Sequence, residues 1–191
     1  GPDETGTQAV DEDVVFGHKR LSIIDVESSH EPLPYEDGRY LLTFNGEIYN
    51  YVELREELIR EHGARFDTAG DGEVIVAAYH HWGEEAVHRL RGMFAFVIWD
   101  RLHRKAFAAR DPYGIKPLHY LLTQDGVYLA SEKKALLPFA DGGRFGDDAV
   151  NPASLSHYLT LQYVPEPHTM HRGIERLGSG ECLTWTPESG L

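Results

Sequence analysis

Apolar positions along the chain fall into short runs divided by polar, Gly- or Pro-rich breaks, and the runs have two periods. Val14–Phe16 and Arg20–Asp25 ("RLSIID") read as strands, the second closed by Pro32 and Pro34. Arg39–Phe44 ("RYLLTF") is a third, rich in aromatic and β-branched residues. The period then lengthens. Tyr51, Leu54, Leu58 and Ile59 mark one face of a helix that Asn50 caps, with Glu53 completing a capping box and Gly63 as the stop. Asp71–Trp82 predicts a second helix, ended by Gly83, and 84–91 a short third piece. Met93–Asp100 ("MFAFVIWD") is apolar almost throughout, as a strand buried on both faces is. Strands at 106–111, 119–123 and 127–131 follow at short intervals. "EKKALLPF" (132–139) predicts a helix, Asp141–Asp148 a Gly- and Asp-rich loop, "ASLSHYL" (153–159) a helix, 161–169 an extended segment and Cys182–Trp185 a last strand. The first sixteen residues hold little pattern beyond Val14–Phe16, and there is no internal repeat.

Strands joined by short turns pair antiparallel, and strands bunched between groups of helices define an α+β fold rather than a βαβ ladder. The expected architecture is two antiparallel sheets packed together with helices outside.

Composition narrows the function. At 191 residues with 41% hydrophobic content, the chain has the length and make-up of one globular domain. Its formal net charge of -13 repels phosphate backbones and argues against nucleic acid as a partner. No apolar run reaches the ~20 residues that span a bilayer, and no secretion signal stands at the front, so a membrane is not expected. A single cysteine, Cys182, rules out an internal disulfide framework and suits a reducing cytoplasm. In a strand pattern it reads as a buried apolar residue. The opening "GPDETG" lacks an initiator Met and reads as a processed product or a piece of a longer chain.

The motif inventory is mostly negative. No H-E-x-x-H, Walker loop, dinucleotide fingerprint or nucleophile elbow occurs, and no histidine spacing supports a metal site. What remains is a set of polar groups at the ends of elements. Arg20 begins a strand, Asn45, Gly46 and Glu47 stand where a strand gives way to a helix, and Asp71 opens the next helix. An arginine fork can clamp a carboxylate, an acidic side chain can hold an ammonium, and an Asn amide with a Gly N–H can bind an oxyanion. Each also has an ordinary local explanation: a surface ion pair, a helix cap, a turn.

"GPDETG", "GHKRLSIID", "FNGEIYNYVELREEL", "GDGEVIVAAYHHWG", "LRGMFAFVIWD", "ARDPYGIKPLHY", "ASEKKALL" and "LQYVPEPHT…GIERL" occur in one order, and together they resemble the glutaminase half of bacterial B-type, glutamine-hydrolysing asparagine synthetases. The resemblance runs from Gly1 to about Gly180. It implies a class II glutamine amidotransferase domain over 1–187, without its N-terminal segment, with 188–191 opening a linker to a synthetase domain. The implied fold is the four-layer αββα sandwich of N-terminal-nucleophile hydrolases. The implied reaction is attack by an N-terminal cysteine on the glutamine side-chain amide, with the α-amine as base. The ammonia then serves ATP-dependent amidation of aspartate. On this resemblance Arg20 grips the glutamine α-carboxylate, and Leu21, Ser22, Ile23 and Ile24 line the pocket. Asn45 and Gly46 are the oxyanion donors, and Glu47 and Asp71 hold the α-ammonium end. No metal or cofactor is implied in this domain. ATP and Mg belong to the synthetase domain in cis, and a homodimer is the family habit.

Two departures qualify the picture. The sequence begins after the family's nucleophile position, so these 191 residues alone are expected to be inactive. "LGSG" also replaces the usual L-P-P-G near the end. Other readings stay open: a nucleophile-less domain like that of β-lactam synthetases, an amidotransferase for another acceptor, or a free-standing amino-acid-binding module.

Overall fold

The computed structural model describes residues 4–20, 31–143 and 149–191, with side chains for 6–18, 31–140 and 149–191. Leu21–Ile24 and most of the predicted 141–148 loop lie outside the described residues. The strands are β1 (Glu4–Asp11), β2 (Val14–Arg20), β3 (Leu33–Tyr35), β4 (Tyr40–Ile48), β5 (Gly92–Asp100), β6 (Lys105–Arg110), β7 (His119–Thr123), β8 (Gly126–Ala130), β9 (Ile174–Arg176) and β10 (Cys182–Trp185). The α-helices are α1 (Tyr51–His62), α2 (Asp71–Trp82) and α3 (Pro152–Leu161).

Burial orders these elements into layers. A five-stranded antiparallel sheet runs β10-β6-β5-β4-β3. One face, carrying Leu42, Phe44, Phe96, Ile98 and Phe107, packs under α1 and α2. Strand alternation sends Leu41, Ala95, Val97, Trp99 and Ala108 to the other face. There they meet Val10 and Phe16 of the β1-β2 hairpin together with Leu118, Leu177 and Leu183. The three-stranded sheet β8-β7-β9 completes this second strand layer. Its far side, through Leu121 and Ile174, packs on Leu136 and Leu137, where the 3-10 turn Lys133–Ala135 meets a second one, Leu137–Gly143. Helices, sheet, sheet and helical turns follow in that order, the expected αββα sandwich.

The sheet assignments explain the periodicity. β5 is central, so its apolar run is buried on both faces from Phe94 to Asp100. Helix α2 is buried from Asp71 through Tyr79.

Several local expectations need correction. The N-terminal stretch forms β1, paired with β2 through a register shift between Ala9 and Asp11. Among its described side chains only Val10 is buried, which leaves a weak apolar signal. The 132–139 segment forms 3-10 turns rather than an α-helix, broken where Pro138 lacks a backbone donor. Asn50 stands at the α1 N-cap but makes no side-chain cap bond. Its Nδ2 donates instead to the Arg89 carbonyl (3.0 Å) and its Oδ1 accepts from Arg91 N (2.9 Å). Cys182 is exposed, on the face of edge strand β10 opposite buried Leu183. No helix among the described residues is long and apolar enough to cross a membrane.

Candidate functional site

The site grows from the far half of β4. Asn, Gly and Glu are poor strand formers, so a strand ending at Phe44 is the natural sequence reading. The structure carries the strand on to Ile48, pairing Asn45 with Ala95, Gly46 with Phe94, Glu47 with Met93 and Ile48 with Gly92. Asn45 and Gly46 therefore lie inside a ladder and not at its end. The pairing is unusually close. Gly46 has φ +154°, and a Cβ there would collide with the Met93 carbonyl oxygen and come within 2.8 Å of Phe94 Cα. Only glycine fits.

The hydrogen-bonding direction along β4 decides what this stretch offers. Phe94 uses its backbone toward β6: its carbonyl accepts from Asp111 N (2.8 Å), and its N–H donates to Asp111 Oδ2 (3.3 Å). The opposing Gly46 therefore turns its N–H away from β5, as do Phe44 and Ile48. β3 reaches only to Leu42, so beyond it no described strand pairs with this edge of β4. Two of its three N–H groups find carboxylates. Phe44 N donates to Glu31 Oε2 (2.7 Å) and Ile48 N to Asp71 Oδ2 (2.9 Å). The Gly46 N–H between them meets no described acceptor. Beside it the Asn45 amide is half-buried and has no partner among the described residues.

Asp71 is fixed by what precedes it. Buried Glu73 accepts from Asp67 N (2.8 Å), Thr68 N (2.7 Å) and Thr68 Oγ1 (2.8 Å). From α1, Arg55 donates to the carbonyls of Thr68 and Gly70, both at 2.7 Å. The loop thus delivers Asp71 to the β4 edge with its carboxyl buried. That burial pushes its pKa up and the nearby Glu47 charge adds to the rise, against backbone donors at Ile48, Gly72 and its own N–H. Among the described residues no cation pairs with Glu47 or Asp71. Arg20 closes β2 opposite Glu4, and its side chain lies outside the description.

Two further supports escape the element-end pattern. Glu31 joins His18 Nδ1 (3.0 Å) and Thr43 Oγ1 (3.3 Å) to the Phe44 N–H, tying the hairpin to β4. Buried Arg110 donates to the carbonyls of Gly114 (2.7 Å), Lys116 (2.8 Å) and Leu177 (2.6 Å), and to Glu166 Oε1 (2.8 Å). Asp111 accepts from Tyr113, Ile115 and Lys116 N, all at 3.0 Å, besides Phe94. Gly46 on β4, Phe94 on β5 and Asp111 just past the end of β6 thus lie abreast. The "RDPYG" run held a usable signal, an Asp before Pro that bonds forward into its own turn. Glu31 offered none.

Cys182 is not part of this constellation. Its strand is three strand spacings from β4, about 14 Å. Glu84, His88, Phe94, Arg110 and Cys182 line a separate cleft of about 230 Å³. Partial burial and the Glu84 charge push the thiol pKa up. No group of three or more His, Cys, Asp or Glu residues among those described could hold a metal ion.

Layering and site together give an α+β sandwich whose β4 edge carries a Gly46 N–H with no described acceptor and an acidic pair, Glu47 and Asp71, with no cation among the described residues. The glutamine amidotransferase domain family matches residues 1–190, and the chain belongs to that family. It is 56% identical over 188 residues to a putative glutamine-hydrolysing asparagine synthetase of Mycobacterium tuberculosis (strain H37Rv), a match covering 94% of this chain and 29% of that protein. With asparagine synthetase 1 of Bacillus subtilis (strain 168) it shares 46% identity over 191 residues, 100% of this chain and 29% of that protein. The chain thus spans less than a third of the length of these curated relatives. Among solved structures, the glutamine phosphoribosylpyrophosphate amidotransferase of B. subtilis, complexed with ADP and GMP, superposes with TM-score 0.52 at 26% identity, covering 64% of this chain and 28% of that one. An allosteric regulatory enzyme of purine biosynthesis shares the fold, with TM-score 0.58 at 20% identity, over 91% of this chain and 33% of that one.

Proposed function

We propose that this chain is the glutaminase part of a glutamine-dependent asparagine synthetase, cleaving glutamine to glutamate and ammonia. On this reading the ammonia amidates aspartate in an ATP- and Mg-using synthetase domain of the longer protein. The glutaminase domain runs over 1–187, and the linker to its partner begins at 188–191. The carrying observation is the β4 edge beyond Leu42: a Gly46 N–H that meets no acceptor among the described residues, between two carboxylate-bound neighbours and beside two acidic groups with no cation among the described residues.

Glutamine fits that arrangement. Its α-ammonium supplies a cation for Glu47 and Asp71, which have none among the described residues, and Arg20 at the end of β2 takes the α-carboxylate, with Leu21–Ile24 as the pocket lining. The side-chain carbonyl then lies against the Asn45 amide and the Gly46 N–H. A cysteine thiol supplied by the longer protein's N-terminus attacks the amide carbon and passes its proton to its own α-amine. The oxygen becomes an oxyanion, stabilised by two fixed donors. The intermediate collapses, the C–N bond breaks, and the nitrogen leaves as ammonia with that proton. Water cleaves the thioester to glutamate. Cys182, about 14 Å away, takes no part. Its free, exposed thiol accords with a cytoplasmic location.

The test uses the product of the complete reading frame. Asp71→Asn should lower kcat/KM for glutamine at least tenfold, as loss of a buried charge partner does, and leave ammonia-dependent synthesis within about twofold. Equal loss of both activities would show that Asp71 supports the fold and not the ligand.

A further inference from the structure

Helix α3 is built unlike the rest of the domain. Of its ten residues only Ser154 is buried. Leu155, Tyr158 and Leu159 are spaced i, i+3, i+4 and share one face, and Leu161 and Tyr163 extend the apolar surface beyond it. Leu159 is 75% exposed and Tyr163 60%. No described strand or helix packs along this helix. Among the described residues the hydrogen bonds that tie it to the domain lie at its start: Asn151 Oδ1 accepts from Ala153 N (3.1 Å) and Ser154 N (3.3 Å), and Asn151 N donates to the Met170 carbonyl (2.9 Å). From Ala149 to Pro165 there is no Asp, Glu, Lys or Arg, in a chain that is 26% charged. Isolated helices shorter than about 12–15 residues are marginal in water and draw their stability from packing on an apolar face. α3 presents the face without the packing.

We infer that this face is the seat of a second folded domain of the same polypeptide. Relatives that match 94–100% of this chain are more than three times as long, since the match covers 29% of each. In those proteins the fold has a tethered neighbour at high effective concentration. A second copy of this chain is disfavoured, because it would bring a net charge of -13 against -13 with no cation in the patch to offset it. A lipid surface calls for lysines and arginines around the apolar face, and 149–165 has none. An uncharged, aromatic-containing patch matches the core of an interdomain contact. The inference rests on the reading above in taking that neighbour to be the synthetase domain. The contact itself requires only the longer chain.

Hydrogen exchange on the product of the complete reading frame tests this directly. Backbone amides 155–161 should be protected on the order of 100-fold or more over an unstructured chain. A Leu159→Asp/Tyr163→Asp variant should lose at least tenfold of that protection and become open to proteolysis within 149–165. The β5 amides, measured in the same experiment, should be unchanged and report an intact fold. Wild-type amides 155–161 exchanging like an unstructured chain would overturn the proposal. Protection that disappears on dilution, with a dimer-to-monomer change in light scattering, would also overturn it and assign the face to a second copy. Protected amides in a product that fails to hydrolyse glutamine would support the docking and sink the glutaminase reading alone.

Discussion

Asp71 is kept where its charge is costly. A carboxyl whose folded pKa lies above its unfolded value stabilises the fold most below that unfolded value. The contribution is lost as pH rises through the folded pKa. At neutral pH the ionised side chain therefore works against folding, which suits a group held for a cationic ligand. Asp71→Asn should leave the chain within about 1 kcal/mol of wild type at pH 7, whereas loss of a purely structural carboxylate costs more. Urea denaturation at pH 4 and pH 7 checks both statements, because the variant should gain on wild type as pH rises. Gly46→Ala should be costly at both pH values. The collision with the Met93 carbonyl has no flexible side chain to absorb it, so a loss of about 3 kcal/mol or more is expected in the same assay. At this scale the sequence was partly readable. Asn45, Gly46, Glu47 and Asp71 stood out as polar groups at element ends, and the structure brings them to one strand edge. It did not reveal that Asn45 and Gly46 lie within a ladder, because their low strand propensity is overridden by pairing with Gly92–Ala95.

Asn50 shows the same override among elements. A capping residue followed three positions later by Glu predicts a local box, but the Asn50 amide is drawn to Arg89 and Arg91, where the chain enters β5. It joins the start of α1 to the central strand. Asn50→Ala should cost about 1–2 kcal/mol, and exchange at the Arg91 amide should quicken while the end of α1 near Gly63 is unaffected. Helices α1 and α2 and strand β5 were legible because each carries a long apolar pattern of a single period. β1 and β9 were not: Val10 is the buried residue among β1's described side chains, and β9 has three residues. The 132–139 turns misled for a different reason. Their buried Leu136 fits a helical pattern, and Pro138 then ends any regular helix.

Acid tests the molecule as a whole. Burial alone would raise the carboxyls of Asp100, Asp111 and Glu166. Arg39 and His103 at Asp100, backbone donors at Asp111, and Arg110 and Arg176 at Glu166 outweigh it and hold all three below the usual range. Their stabilisation is complete above about pH 5 and is lost as pH falls through the lowered values. The urea midpoint should therefore drop between pH 6 and pH 3. Asp111→Asn should cost about 3 kcal/mol at pH 7 and make that drop shallower. The layered α+β plan could be read from the bunching of strands, but the hub that locks it could not, since Arg110 reaches partners far along the chain. That reach has a consequence during synthesis. Leu177 follows Arg110 by 67 residues. At about 5–20 residues per second, roughly 3–13 s pass between the two leaving the peptidyl-transferase centre. Through that interval the guanidinium is hydrated, the 113–116 turn lacks its far anchor, and the nascent domain depends on whatever shelters it at the ribosome.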